Sequence, residues 1–380
     1  MSNQLTTSTT PDNPVEPGRL LWVLLLWGGF LGVLTLAPGS LPALFRTIAG
    51  HFDNPKYIPM AEAIRSHNLN AYGATRYAWG FPFATALVAT AFRITAAESV
   101  LAVSVVSSLA ATWIAFRLWG MWVAAYFTVA DFTWIQFSVF GGSEPLSIAL
   151  LFASLMAART KSWPLAAFFA ALSATVRPVG VLLLPVLVPW AWLEQGLRTA
   201  VATAFAGSAV LALYILPLLA SFHDPVIGYH GYQQAAWNGG YPITYPFVAI
   251  AANLMNGEYL GGSLNKLFKG GFILFHVFVL TGVACSTKIR QRALHIPVDL
   301  TFMIVYSAFI ICYNDPHCAA SIYARVLLPI LPIQLWIYEP WLPKSRFLIV
   351  GLGLCSVFVA LHAGALPGRP GNARWFGFLP

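Results

Sequence analysis

Apolar stretches of membrane-crossing or near-crossing length follow one another through almost the whole chain. Nothing else in the sequence limits its fold as tightly. They lie near 20–37, 80–94, 98–117, 121–140, 145–158, 163–176, 178–193, 199–220, 268–286, 297–312, 325–339 and 346–363, with short polar breaks between them. In hydrocarbon a backbone N–H or C=O finds no partner but another backbone group, so such stretches are helices. Charged residues make up 9% of the chain and hydrophobic ones 58%, with a mean hydropathy of +0.71; a soluble domain carries about 25% charged residues. The expected fold is all-α, a polytopic transmembrane bundle of about 11–13 helices. Its long first non-cytoplasmic loop should carry short interfacial helices: 57–65 has apolar residues at helical spacing. Residues 1–18, rich in Ser, Thr, Asn and Pro, read as a disordered cytoplasmic tail, and 19–380 as one integral-membrane domain.

The net charge of +8 comes from 21 Lys and Arg against 13 Asp and Glu. These cations form no stripe that would track a nucleic acid. They gather at the ends of apolar runs: Arg159 and Lys161, Arg198, Lys288 with Arg290 and Arg292, then Lys344 and Arg346. That is the positive-inside pattern of a multi-pass protein of a plasma or inner membrane. The bilayer is the expected partner, nucleic acid is not, and the expected state is a monomer. The first run lacks a small-residue cleavage site behind a strongly basic segment, so it reads as an uncleaved span. If Arg19 and the Arg159/Lys161 pair share a side, an even number of crossings separates them, yet five apolar runs lie between. Either 121–140, interrupted by Asp131, or the short 80–94 is not a full span. Four cysteines show no metal-type spacing. Cys312 and Cys318 flank a polar loop and could bridge if it faces an oxidising compartment; buried free thiols are the commoner state.

A chain this poor in acids places few of them by chance near a membrane face. Asp53 follows the first span, where a carboxylate can take a proton from a polar acceptor attacking a lipid-anchored donor. Tyr57 lies a helical turn on, able to orient a sugar or the base. The competing reading is structural, because Asp53-Asn54-Pro55 is also a good helix cap.

The downstream residues carry a resemblance. Asp53, Tyr57 and Ala61, then Asn70-Ala71-Tyr72, then Arg76-Tyr77-Ala78-Trp79-Gly80-Phe81-Pro82 look like the first loop of GT-C superfamily glycosyltransferases. Gly142-Ser143-Glu144-Pro145-Leu146 is similar to their Ser-Glu-Pro-Leu element. Ala174-Thr175-Val176-Arg177-Pro178-Val179-Gly180 resembles their Arg-Pro turn, and Ser321-Ile322-Tyr323-Ala324-Arg325-Val326-Leu327-Leu328-Pro329 their C-terminal Arg-Tyr-Leu-Leu-Pro helix. The likeness covers roughly 20–340.

It implies an inverting, mannosyltransferase-like enzyme that moves a hexose or pentose from a polyprenyl-phosphate carrier on the non-cytoplasmic face. The acceptor would be a lipid-linked glycan, lipid or protein, as in cell-envelope glycan synthesis, with Asp53 as the general base. Many relatives carry a second acid beside the first; Asn54 stands there in this chain, which argues against a two-acid metal site. No cofactor is expected, and no histidine spacing supports a divalent metal.

An anionic carrier phosphate leaves the reaction, so cations must meet it, and Arg does so best through paired hydrogen bonds. Arg325 shares the expected face with Asp53; its competing role is a salt bridge to Asp315. Arg177 is placed for phosphate or for holding Glu144, which heads the helix from 144 and also suits its dipole. Lys56 and Arg76 lie in the first loop within reach of a headgroup, though loop cations are usually solvated. Asp131 either lines a wet cavity or holds a broken helix together. His51, His223, His230 and His317 fall in external loops, where histidines mostly face solvent. Tyr232 and Trp237 belong to an aromatic, amide-rich loop, 229–241, suited to stacking on sugar faces or to an interfacial belt. The rival function is a transporter or lipid flippase with an Asp131–Glu144–Arg177 relay. No internal repeat supports it.

Overall fold

The computed structural model describes residues 17–68, 77–222, 263–313 and 323–363, with a few positions between 243 and 251. Among the described residues the regular structure is helical apart from one isolated bridge, Ile243 to Tyr313. The helices are α1 (Pro17–Leu36), α2 (Leu41–Gly50), α3 (Asn54–Arg65), α4 (Gly80–Phe92), α5 (Ala96–Trp119), α6 (Met121–Ala130), α7 (Phe132–Phe140), α8 (Glu144–Arg159) and α9 (Trp163–Val176). They continue as α10 (Leu184–Gln195), α11 (Leu197–Phe222), α12 (Ser263–Cys285), α13 (Thr287–Ala293), α14 (Pro297–Cys312), α15 (Tyr323–Leu327), α16 (Leu331–Tyr338) and α17 (Arg346–Ala363).

This is an all-helical membrane protein. Four described segments are long and apolar enough to cross a bilayer by themselves: α1, α5, 178–195 and α11. The number reaches six if two bent pairs count as spans, α6 with α7 (77°) and the later part of α12 with α13 (100°). The remaining apolar helices, α4, α9, α14 and α17, are shorter. Pro178–Leu183, a 3₁₀ segment, leads into α10. The run at 325–339, expected as one helix, is broken into α15 and α16. Helix α1 starts at Pro17, inside the segment expected to be a tail, and residues 1–16 lie outside the described ones.

Most of the basic clusters collect at one end of the bundle. Trp22 meets Trp122 there at 6.2 Å and carries the Arg346 guanidinium at 5.3 Å. Arg159 bonds Asp299 (3.1 Å) and the Leu118 carbonyl, while Glu339 takes Arg292 (3.3 Å) and Lys344 (2.7 Å). The starts of α1, α6, α14 and α17 and the ends of α5, α8 and α16 therefore lie together.

That arrangement bears on the spare apolar run. Asp131 breaks the 121–140 run and caps α7, its Oδ1 accepting from the Thr133 N–H (2.8 Å) and hydroxyl (2.6 Å). The two halves nonetheless run from Trp122 at the basic end to Phe140 at the other. The short element among these is α4, of 13 residues. Its Gly80 lies against Thr175 near the end of α9, where a Cβ would come within 2.5 Å of the Thr175 carbonyl group. Only the turn at Arg93–Thr95 separates α4 from α5, whose Val100 lies against Gly141, so α4 both begins and ends on the far side. Helices α1, α5, the α6–α7 pair and α8 run between the two ends of the bundle, and the Arg19 and Arg159 ends lie on the same one.

Candidate functional site

At the far end, four segments distant in sequence bring their charges together. The turn between α2 and α3 supplies His51, Phe52 and Asp53. Phe52 holds a left-handed backbone (φ 44°), uncommon for a residue with a Cβ, and marks a strained turn. Asp53 sits at the cap position of α3, yet its side chain makes no capping bond; Pro55 in the first turn starts that helix. The capping alternative is therefore set aside: the carboxylate is directed elsewhere.

The turn between α7 and α8 supplies Ser143 and Glu144. Gly141 has φ +87° and touches Val100 and Asn54 so closely that no side chain fits. Arg177 ends α9. Pro178 disfavours helical backbone at the residue before it, and Arg177 is extended (φ −140°, ψ 123°), carrying its side chain off the helix end toward α8. Arg325 comes from α15, a helix of five residues. So short an element needs anchors. Tyr323 OH shares a hydrogen bond with His276 Nδ1 (2.8 Å), His276 Nε2 shares one with Ser307 Oγ (2.9 Å), and Tyr306 OH donates to the Val326 carbonyl (2.9 Å).

The four charges alternate in sign. Arg325 Nη2 donates to Asp53 Oδ2 at 2.8 Å, and Arg325 Nε donates to Glu144 Oε1. Arg177 Nη1 donates to the same Glu144 oxygen and to Ser143 Oγ (3.3 Å). Glu144 is the buried centre, its side chain 2% exposed, whereas Asp53 is 24% and Arg177 25% exposed. Among the described residues two arginines face two acids, and such pairing is what makes burying charges tolerable. The Arg325 guanidinium also lies over Phe137 (4.8 Å) and Phe52 (5.5 Å), contacts that gain strength away from water.

Around this core two polar side chains have settled roles. Asn54, fully buried, donates its amide to the carbonyls of Ile48 and Phe140, both at 2.8 Å, tying the α2–α3 turn to the end of α7. A carboxylate has no N–H to offer there, so an amide suits this position where an acid would not. Tyr57 is buried, and its hydroxyl donates to Ser143 Oγ (3.1 Å). Burial, then the neighbouring Asp53 charge, hold its phenol well above the ordinary range.

Several expectations need correction. His51 does not face solvent: it is 7% exposed, in ring contact with Phe52 (4.0 Å) and Phe140 (5.1 Å), and its Nε2 has no hydrogen-bond partner among the described residues. Burial, with the Arg325 charge adding to it, pushes its pKa down to about 3. Asp131 takes the second of its two expected roles, capping α7 at the break in the helix. Lys56 is exposed on α3 and pairs with no acid among the described residues. Cys285, Cys312 and Cys355 are free cysteines. Arg76, Tyr232 and Trp237 lie outside the described residues, as do His223, His230, Asp315, His317 and Cys318. Among the described residues no group of three or more His, Cys, Asp or Glu could hold a metal ion. Ser143, Phe52 and Phe137 had no assigned role in the sequence reading. Only Ser143 carried a signal, as the neighbour of Glu144.

Fold and site together define a helical membrane protein with a buried two-arginine, two-acid cluster at the end opposite its basic patches. Compared with known proteins, the chain matches no family model, no curated protein and no solved structure.

Proposed function

We propose that this protein is an inverting glycosyltransferase of GT-C type, moving a hexose or pentose from a polyprenyl-phosphate carrier to an acceptor hydroxyl with Asp53 as general base. The observation that carries this reading is the placement of Asp53. It is the partly open carboxylate at the rim of a buried arginine cluster, and it serves no cap. Asp53 would take the proton of the acceptor hydroxyl as that oxygen attacks the anomeric carbon. The carrier phosphate, leaving on the opposite side, would meet Arg325 and Arg177, whose guanidinium groups suit phosphate oxygens. Glu144 would hold the two arginines apart and aimed. By the positive-inside tendency the basic end is cytoplasmic and the site faces the other side.

The transporter or flippase reading needs an acid relay through Asp131, Glu144 and Arg177. Against it stands the use of Asp131, whose bonded oxygen serves the α7 cap. The discriminating experiment supplies the purified full chain in proteoliposomes with a panel of polyprenyl-phosphate sugars labelled in the sugar, and extracted membrane lipids as acceptors. Transfer with release of polyprenyl phosphate and an inverted anomeric centre is the expected outcome. Movement of the labelled lipid across the bilayer without cleavage would replace the transferase by the transporter.

A further inference from the structure

We propose that the basic end of the protein carries a seat for one anionic phospholipid, formed where α13 packs against residues 336–344. This seat lies at the end opposite the Asp53–Arg325 cluster and is independent of what that cluster does.

Helix α12 bends by 100° into α13. The later part of α12 is apolar enough to count toward a span, so α13 runs along the face of the bilayer rather than through it. Ser286 caps α13, its Oγ accepting from the Ile289 N–H (3.4 Å), and Ala293 is buried beneath it. Lys288 and Arg292 stand one helical turn apart on α13, and each lies over an indole. Lys288 Nζ is 5.5 Å from the Trp341 ring, and the Arg292 guanidinium is 4.4 Å from the Trp336 ring. Arg292 also donates to the Trp336 carbonyl (3.0 Å) and to Glu339 (3.3 Å), which takes Lys344 at 2.7 Å. Gly282, at the end of α12, packs so closely on the Tyr338 hydroxyl that no side chain fits there. The two sides of the seat are thereby fixed to one another.

Three cations, Lys288, Arg292 and Lys344, surround a single acid, Glu339, so among the described residues two positive charges are in excess. Lys288 pairs with no described acid, and its ammonium, an exposed point charge, suits a phosphate oxygen. Lys344 and Trp341 are each 47% exposed beside it. The positive-inside tendency accounts for cations on this side of a membrane. It does not account for two of them being set over tryptophan rings and gathered around one acid.

What covers such a surface follows from where it lies. Trp341 has the amphipathic ring that settles at headgroup level, and α12 exposes Leu274 and Phe278, one turn apart, where acyl chains run. The anion always present beside α13 is therefore a headgroup phosphate. A zwitterionic headgroup brings its own cation, which the two excess positive charges disfavour; a headgroup with net negative charge does not.

The test titrates the full-length protein, in a neutral detergent, with phosphatidylglycerol or phosphatidylcholine and counts bound lipid by native mass spectrometry. The wild type should hold one phosphatidylglycerol in preference to phosphatidylcholine. Lys288→Gln combined with Lys344→Gln should weaken that binding by about tenfold or more. Lys161→Gln combined with Arg198→Gln removes the same charge from other elements of the same end, and should change it by no more than about twofold. All four side chains are exposed, so folding should be unaffected. Equal losses in the two double variants would reduce the seat to diffuse attraction and overturn it. No loss in either, or equal affinity of the wild type for the two lipids, would overturn it as well.

Discussion

Arg325 Nη2 donates to Asp53 Oδ2 across 2.8 Å, joining residues 272 positions apart in the chain. The bond closes the site, because it links the first loop to a helix near the C-terminus. Glu144, reached by both Arg325 and Arg177, brings in the middle of the chain. A change at any of the four is therefore felt by the other three, and their effects should not add.

Asn54→Asp tests why an amide stands beside the base. The substitution removes both N–H donors, takes the Asn54 amide away from the Phe140 carbonyl, leaves the Ile48 carbonyl with the His51 N–H alone (3.2 Å) and buries an acid between them. A loss of about 3 kcal/mol is expected, read as a lower melting temperature in detergent. A variant as stable as the wild type would show that the α2–α3 turn is not held through this amide.

Gly80→Ala probes the contact that turns α4 back toward the site end. The added Cβ would come within 2.5 Å of the Thr175 backbone, whereas one at Gly32, in α1, meets nothing within 4 Å. Gly80→Ala should cost about 1–3 kcal/mol, and the matching change at Gly32 little. Equal melting temperatures for the two variants would reject the close packing of α4 on α9.

The sequence singled out Asp53, Glu144, Arg177 and Arg325 because charges are so scarce that each one near a membrane face invites a reason. Their pairing was only partly legible. Arg177 with Glu144 follows from two neighbouring turns, but the link from Arg325 to Asp53 depends on helix packing, and Asp315 was the nearer acid in sequence. Phe137 hid within an apolar run, where nothing marks a ring that will lie under a guanidinium. His51 misled because a polar residue in a loop is usually solvated; here the loop folds down onto Phe137 and Phe140. The spare apolar run was visible as a conflict of parity. Which run it was depended on the contacts of Gly80 and Val100.

His51 gives the protein a pH signature. Its pKa falls from an ordinary 6.5 to about 3 through burial and then the Arg325 charge. Between those values the unfolded chain carries the proton and the folded protein does not, so stability declines as pH falls through that window. The wild type should lose more melting temperature between about pH 7.5 and pH 5 than His51→Phe, which keeps a ring against the neighbouring phenylalanines. Equal losses would mean that His51 is not held neutral by the fold.

The most direct measurement compares wild type and Asp53→Asn for sugar transfer from the polyprenyl-phosphate donor that supports turnover. Asparagine keeps the shape and can still accept from Arg325, but it takes up no proton. Transfer should fall by about 10²–10⁴-fold while polyprenyl phosphate still binds. Transfer at the wild-type rate by a well-folded Asp53→Asn protein would contradict the account.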